Sequence, residues 1–452
     1  MSTSTPPPSV FWKIWQTLKG MNNTLLTSHD VPETDLTGKW IIITGANNGI
    51  GFEAAKTFAK WGANLILACR EPPEWETHPS IAEKECKALA ESAGHASIIE
   101  WWKLDMTDLS TIDEFAQRWL DMNRVLDVLC NNAGIATTPG VDTVYTKDGF
   151  ELTHQINFLS HVYLTFRLLP SLAQSPEPRI VCTTSCHHFL STFDLEHFNG
   201  DPGMRGEAYG NNKLYYQIWI TEFHKRLLGC EKLKHITING VNPGYVNSGI
   251  WNNLRPDIAQ SFVETYRTEF FKFLARRFAI TPQQGSMAIV NAATSPMFGP
   301  DPGLQGVGIP GGTGGGHYVN RIWAAESMPY CADENARREV WEKVEEELHL
   351  GDKGLHDTRY PKHRESQASK PHRQRVLGTD YCLTRVLSDV EQPKEDENMY
   401  PADTLSTPRQ VLFVGTLCTS MIFNQAGLGN TLTTVGVIGD SFGITNPANY
   451  PG

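Results

Sequence analysis

Hydrophobic and polar positions change period repeatedly between residue 36 and about residue 293. Six short apolar runs read as strands: Trp40–Thr44, Asn64–Ala68, Ile98–Lys103, Val125–Asn131, Arg179–Thr183 and His235–Val241. Between and after them, Phe52–Trp61, Ile81–Ala93, Ser110–Met122, Gly149–Leu172 and Ala208–Leu228 carry helical spacing. Such alternation predicts parallel strands joined by right-handed helical crossovers, an α/β doubly wound sheet. In sheets of this kind ligands bind outside the carboxyl ends of the strands. The residues that follow each strand are therefore where chemistry is to be sought.

After the first strand comes Thr44-Gly45-Ala46-Asn47-Asn48-Gly49-Ile50-Gly51, a G-x-x-x-G-x-G turn that opens a helix. Glycines permit a tight turn and a close approach of backbone to phosphate, and the helix N-terminus supplies N–H donors and partial positive charge. Gly45, Asn47, Asn48, Gly49, Ile50 and Gly51 are thus candidates to cradle a dinucleotide pyrophosphate. Arg70 after the second strand suits a 2′-phosphate and hence NADP, with Glu71 beside it as a competing signal for NAD. Asp105 after the third strand could accept from the adenine amino group. Asn132, Ala133 and Gly134 after the fourth offer small residues that let backbone approach the cofactor, and the amides of Asn131 and Asn132 could brace the sheet edge. Asn157, within an apolar helix, needs a buried partner or a water.

Thr183-Thr184-Ser185 brings hydroxyls to the crevice, and Tyr209 and Lys213 stand four apart on one helix face. A lysine ammonium and a cationic nicotinamide beside a phenol should pull the tyrosine pKa down toward neutrality. Such a phenol can trade a proton with a substrate oxygen while hydride moves at carbon, and Ser185 can fix that oxygen. Pro243 and Gly244, with Val246 and Ser248, form a turn whose backbone and hydroxyl could bind a nicotinamide carboxamide.

Taken together, Thr44–Gly51, Asp105, Asn131–Gly134, Asn157, Ser185, Tyr209, Lys213 and Pro243-Gly244 resemble the motifs of the short-chain dehydrogenase/reductase family, in order. The chain looks most like its retinol-dehydrogenase-like branch and fungal relatives, on Ala68-Cys69-Arg70, the long gap from Ser185 to Tyr209, and Gly316-His317-Tyr318. The resemblance implies a Rossmann-type fold with Tyr209 as general acid/base, and Ser185 beside it on the substrate. It also implies that Lys213 binds the nicotinamide ribose and lowers the tyrosine pKa, and that Asn157 holds a relay water. Relatives dimerise through helices equivalent to 149–172 and 208–228, so a homodimer is one implied arrangement. No metal is implied.

Composition narrows the rest. Of 452 residues, 40% are hydrophobic and 20% charged, with net charge −11, and no dense basic cluster marks a nucleic-acid surface. Nine scattered cysteines, with no C-x-x-C, fit reduced core thiols in a cytoplasmic protein. The segment 1–35 contains Phe11, Trp12, Ile14, Trp15 and Leu18, an aromatic helix face that packs on the main domain or, with too few cations to favour it, lies on a membrane.

The catalytic domain is expected over 36–350, with 351–408 a polar, irregular linker and 409–452 a hydrophobic tail. Residues 410–439 carry no charge, a run longer than the roughly 20 residues that cross a bilayer. Val411–Asn446 resembles the first membrane span of fungal major facilitator transporters. A gene model run into a neighbouring transporter gene is the favoured reading, against a tail anchor or a disordered remnant. Such a neighbour lends weak support to secondary-metabolite biosynthesis. Aromatic residues in Trp251–Phe278 suggest a hydrophobic substrate. The functional expectation is an NADP-dependent alcohol–carbonyl oxidoreductase, with a non-catalytic nucleotide-binding regulator as the alternative.

Overall fold

A computed structural model describes residues 5–73, 76–136, 143–200, 208–247, 279–300 and 312–350. Ser248, the Trp251–Phe278 stretch and everything from residue 351 lie outside the described residues.

Among the described residues, eight strands form one sheet in the order β3-β2-β1-β4-β5-β6-β7-β8. These are β1 Trp40–Thr44, β2 Asn64–Cys69, β3 Ile99–Lys103, β4 Val128–Asn131, β5 Arg179–Thr183, β6 Thr237–Asn242, β7 Tyr318–Asn320 and β8 Trp323–Ala325. The first seven run parallel, and β8 turns back antiparallel on β7. Order reverses between β1 and β4, which is the topological switch that opens a ligand crevice in a doubly wound Rossmann-type sheet.

The strands are apolar on both faces because helices cover both. Ile41, Ile42 and Ile43 are fully buried. One face receives α2 (Gly49–Lys60), α3 (Pro79–Ser92) and α8 (Pro282–Thr294); α2 and α8 meet above β1 and β4 through Ala54, Ala55, Ala288 and Ala292. The other carries α4 (Leu109–Asp121), α6 (Ser160–Leu172) and α7 (Ala208–Leu228).

Several boundaries differ from the sequence expectation. The expected helix 149–172 begins at Leu152, because Glu151 pairs in a short bridge with Tyr145. It runs as α5 (Leu152–His154), a π-helical turn (Gln155–Leu159) and α6. β4 starts three residues late, since Asp127 uses its carboxylate on Trp40 N–H, Lys39 and Ser175. A final helix, α9 (Glu334–Leu348), lies across α7 and stacks Trp341 on Trp219, 6.3 Å apart and 6° from parallel. It buries α7 on the side away from the sheet, so Asn211 through His224 are all buried.

Helix α9 also closes a charge pair. His154 is wholly buried, with Nδ1 2.6 Å from Asn212 Oδ1 and Nε2 2.9 Å from Glu347 Oε2. Burial disfavours its charge, but the Glu347 carboxylate, together with Asn212 and Glu151, raises its pKa above 6.5. A raised folded pKa stabilises the fold fully below the unfolded value, and that gain is lost as pH rises through the folded value. Wild-type thermal stability is expected to fall between mildly acidic and alkaline pH, and Glu347→Gln to flatten this slope. Calorimetric melting from pH 5 to 9 reads both.

The described cysteines are all unpaired: Cys69, Cys86, Cys130, Cys182, Cys186 and Cys331 are buried and Cys230 is half-buried. No helix among the described residues is long and apolar enough to cross a membrane.

Candidate active site

At the end of β1 the chain turns with Gly45 at φ +65° and Gly49 at φ +59°, left-handed values that favour glycine. Asn48 caps α2, its Oδ1 accepting from Gly49 N–H at 2.7 Å. Ile50 and Gly51 N–H lie in the first turn, where no intrahelical carbonyl can reach them. A Cβ at Gly51 would sit 2.4 Å from Asn132 Nδ2 and 2.5 Å from Gly45 O, so only glycine lets α2 start this close to the sheet. Asn47 reaches away, donating to Thr77 O at 3.0 Å.

Asn132 latches the strand ends. Its Nδ2 donates to Thr44 O at 2.9 Å, and its Oδ1 accepts from Thr183 Oγ1 at 3.3 Å. Thr44 Oγ1 accepts from both Asn132 and Ala133 N–H, at 2.8 and 2.9 Å. The amide of Asn131 turns the other way, donating to Thr165 Oγ1 at 2.9 Å. Asn157, in the π-turn, clamps Ile135 at both ends: its Oδ1 accepts from Ile135 N–H and its Nδ2 donates to Ile135 O, each at 2.8 Å. His161, one turn on, donates from Nε2 to Ala133 O at 2.8 Å. Burial holds His161 down at about 3, so it is neutral and braces without charge. The partner that Asn157 needs is therefore backbone, and this pair supports the loop carrying Ala133 and Gly134.

The remaining cofactor candidates fall around the same rim. Asp105 lies just after β3, with Oδ1 accepting from Thr107 N–H and Oγ1 at 2.9 and 2.7 Å. Arg70 follows β2, exposed, and pairs with Glu76 at 2.6 Å. Glu71 pairs with His78 at 3.1 Å. Gly244 takes φ +83°, turning the chain after β6. Buried Val246 bridges to Ile280 and, with Ile50, packs at Gly285 of α8, so the turns after β1 and β6 converge there.

Ser185 ends the segment after β5 and caps a 3₁₀ turn, Cys186–Leu190, accepting from His187 N–H at 3.2 Å. Tyr209 and Lys213 enter on the first turns of α7, and Ser185 hydrogen-bonds the Tyr209 phenol. The lysine Nζ donates to Thr183 O at 2.7 Å and lies 5.7 Å from the tyrosine ring centroid. Serine, tyrosine and lysine are therefore gathered at the end of β5.

In the chain alone the tyrosine pKa stands above its ordinary value, so Lys213 by itself does not produce the fall expected beside lysine and a nicotinamide cation. Burial raises Tyr209 to about 12, and the Ser185 hydrogen bond only partly offsets it. Burial also lowers Lys213 to about 8, and its ammonium is spent on the Thr183 carbonyl. Desolvation by the chain itself is the largest influence on both groups.

Several site residues were not among the sequence candidates. His187 sets its ring edge-on to Tyr209 at 5.6 Å. His188, wholly buried, donates from Nδ1 to Ser185 O at 2.7 Å and accepts at Nε2 from Met328 N–H at 3.3 Å, which fixes its tautomer. Thr44 and His161 hold the loop after β4. The i, i+4 spacing of Asn157 and His161 was the readable signal for the latter.

The residues 39–259 match the family model described as short chain dehydrogenase. The chain is 33% identical over 259 residues to retinol dehydrogenase 11 of Homo sapiens, covering 57% of this chain and 73% of that protein. It is 32% identical over 316 residues to the WW domain-containing oxidoreductase of Homo sapiens, covering 68% and 67%. The solved NADPH-dependent 3-quinuclidinone reductase of Rhodotorula rubra superposes with a TM-score of 0.42 at 18% identity, covering 65% of this chain and 91% of that one. The chain belongs to the short chain dehydrogenase family.

Proposed function

We propose that the chain is an NADP-dependent oxidoreductase interconverting an alcohol and a ketone or aldehyde on a hydrophobic small molecule. The observation that carries this reading is the contact of the Ser185 and Tyr209 hydroxyls beside the buried Lys213 at the end of β5.

The crevice fits a dinucleotide. The Gly51 cradle would be filled by a Cβ, and the open N–H groups of α2 point an unneutralised partial charge outward. Gly45, Asn47–Gly51, Asp105, Asn132–Gly134, Pro243, Gly244 and Val246 would hold it. The bound nicotinamide supplies or accepts hydride. Ser185 positions the substrate oxygen, and Tyr209 gives that oxygen a proton in reduction or takes one in oxidation. Lys213 keeps a cation beside the phenol. Asn157 and His161 keep the loop after β4 in register with this constellation.

Arg70 supports NADP over NAD. Its present partner is the half-buried Glu76 carboxylate, and surface pairs of this kind are worth about 0–1 kcal/mol, less than a bidentate phosphate contact. Arg70→Ala is expected to weaken NADPH binding while leaving NADH unchanged. Freeing Arg70 by Glu76→Gln is expected to tighten NADPH by up to about fivefold. The full chain, screened on hydrophobic alcohols and carbonyls with each coenzyme, tests the whole reading. Greater protection from heat by NADH than by NADPH would sink the NADP assignment.

The resemblance of the tail to a transporter span, with the secondary-metabolite role it suggests, concerns residues outside the described ones. Transcript sequencing across 351–408 tests it: a continuous message through the tail rules out the gene fusion.

A further inference from the structure

We infer that the N-terminal segment, which precedes the family-matched region, is a wall of the active site, and that Asn242 is the positioning residue tying it to the Ser185 turn. This rests on the oxidoreductase reading above.

Helix α1 (Val10–Gly20) lies against the 3₁₀ turn that Ser185 caps. Trp12 meets Phe189 edge-on at 5.7 Å, and Lys13 Nζ donates to Ser191 O at 2.8 Å. The closest approach is at Gly20, where a Cβ would lie 2.2 Å from Cys186 Cβ. Any larger residue there must displace the neighbour of the serine.

Asn242, 1% exposed at the end of β6, joins these parts. Its Oδ1 accepts from Cys186 N–H at 3.0 Å. Its Nδ2 donates to Gly20 O at 2.7 Å and to Asn320 Oδ1 at 2.9 Å. Asn320 in turn donates to Lys19 O at 3.1 Å. Gly20 O and Lys19 O are end-of-helix carbonyls with no intrahelical donor, so the side chains satisfy them. One amide therefore fixes the serine turn relative to a helix whose end lies 222 residues from that amide in sequence.

The segment then crosses the Pro243-Gly244 turn. Arg321, wholly buried, donates to Pro243 O at 2.8 Å and to Thr24 O at 3.2 Å. Gln284 of α8 holds Leu26 at both its N–H and its carbonyl, at 2.8 and 3.0 Å. A Cβ at Gly244 would lie 2.3 Å from Asn22 O. The same strip of chain thus sets the turn after β5, which holds the substrate oxygen, and the turn after β6, which faces the nicotinamide end. A shift of the serine by about 1 Å against the tyrosine can cost about 10²-fold in rate.

The test uses the full chain with a substrate found in the coenzyme screen. Asn242→Ser and Gly20→Ala are each expected to lower kcat about 10- to 100-fold, with NADPH affinity retained. Combined, they should lose less than the product of the single effects, because both break one linkage. Lys13→Met, a surface change, is expected to lower kcat about threefold. Folded Asn242→Ser and Gly20→Ala proteins with wild-type kcat, or losses confined to NADPH affinity, overturn the proposal. If neither folds, Lys13→Met decides it, and an unchanged kcat overturns it. A wild type that turns over no alcohol or carbonyl defeats the oxidoreductase reading instead.

Discussion

Tyr209→Phe is expected to lower kcat about 10²- to 10⁴-fold while leaving NADPH affinity unchanged, the range that general acid–base groups contribute. In the proposed mechanism the phenol exchanges a proton with the substrate oxygen, and in the variant the ring would remain in place against His187. pH dependence gives a second check with a fixed sign. The chain alone holds Tyr209 near 12. Oxidation needs the phenolate, so its rate should climb with pH through the alkaline range. Reduction needs the neutral phenol and should stay level there. Steady-state kinetics in both directions read this. A Tyr209→Phe protein with normal turnover on a confirmed substrate would remove the mechanism.

Trp219→Ala is expected to destabilise the fold by about 3–5 kcal/mol, the usual cost of emptying a large buried aromatic site. Trp219 is fully buried on α7, stacked on Phe223 at 4.8 Å and on Trp341, with Phe166 edge-on at 6.0 Å. Few partners can relax into the gap, because the stack spans α6, α7 and α9. Urea unfolding should show a lower midpoint with an unchanged slope. A loss below about 1 kcal/mol would mean that α9 does not seat on α7. A homodimer of the kind the resemblance implies would have to form around α9, which already covers this side of α7.

The central sheet was readable because its strands are apolar on both faces, and β1 and β5 appear at the residues that periodicity chose. The far edge was not. β7 and β8 are three residues each, too short to show a period, and they are stitched by Arg321 in a left-handed turn. The antiparallel return of β8 breaks the expected parallel pattern for the same reason. Ser185, Tyr209 and Lys213 were legible from their order after the fifth strand, and the structure gathers them. Their electrostatics were not, because a sequence displays charges but not the desolvation that holds Tyr209 up and Lys213 down. Asn242 is not among the residues that the sequence singled out. Its partners lie in α1 and after β5, and no local pattern announces contacts of that range.

The Asn132 latch has a thermodynamic consequence. Its side chain binds the ends of β1 and β5 together, while Thr44 grips the backbone of Asn132 and Ala133. The floor of the proposed dinucleotide crevice is thereby hydrogen-bonded by the chain itself. Ordering of that backbone belongs to folding, so coenzyme capture need not supply it, and affinity can be spent on discrimination between coenzymes at the rim, where Arg70 stands exposed.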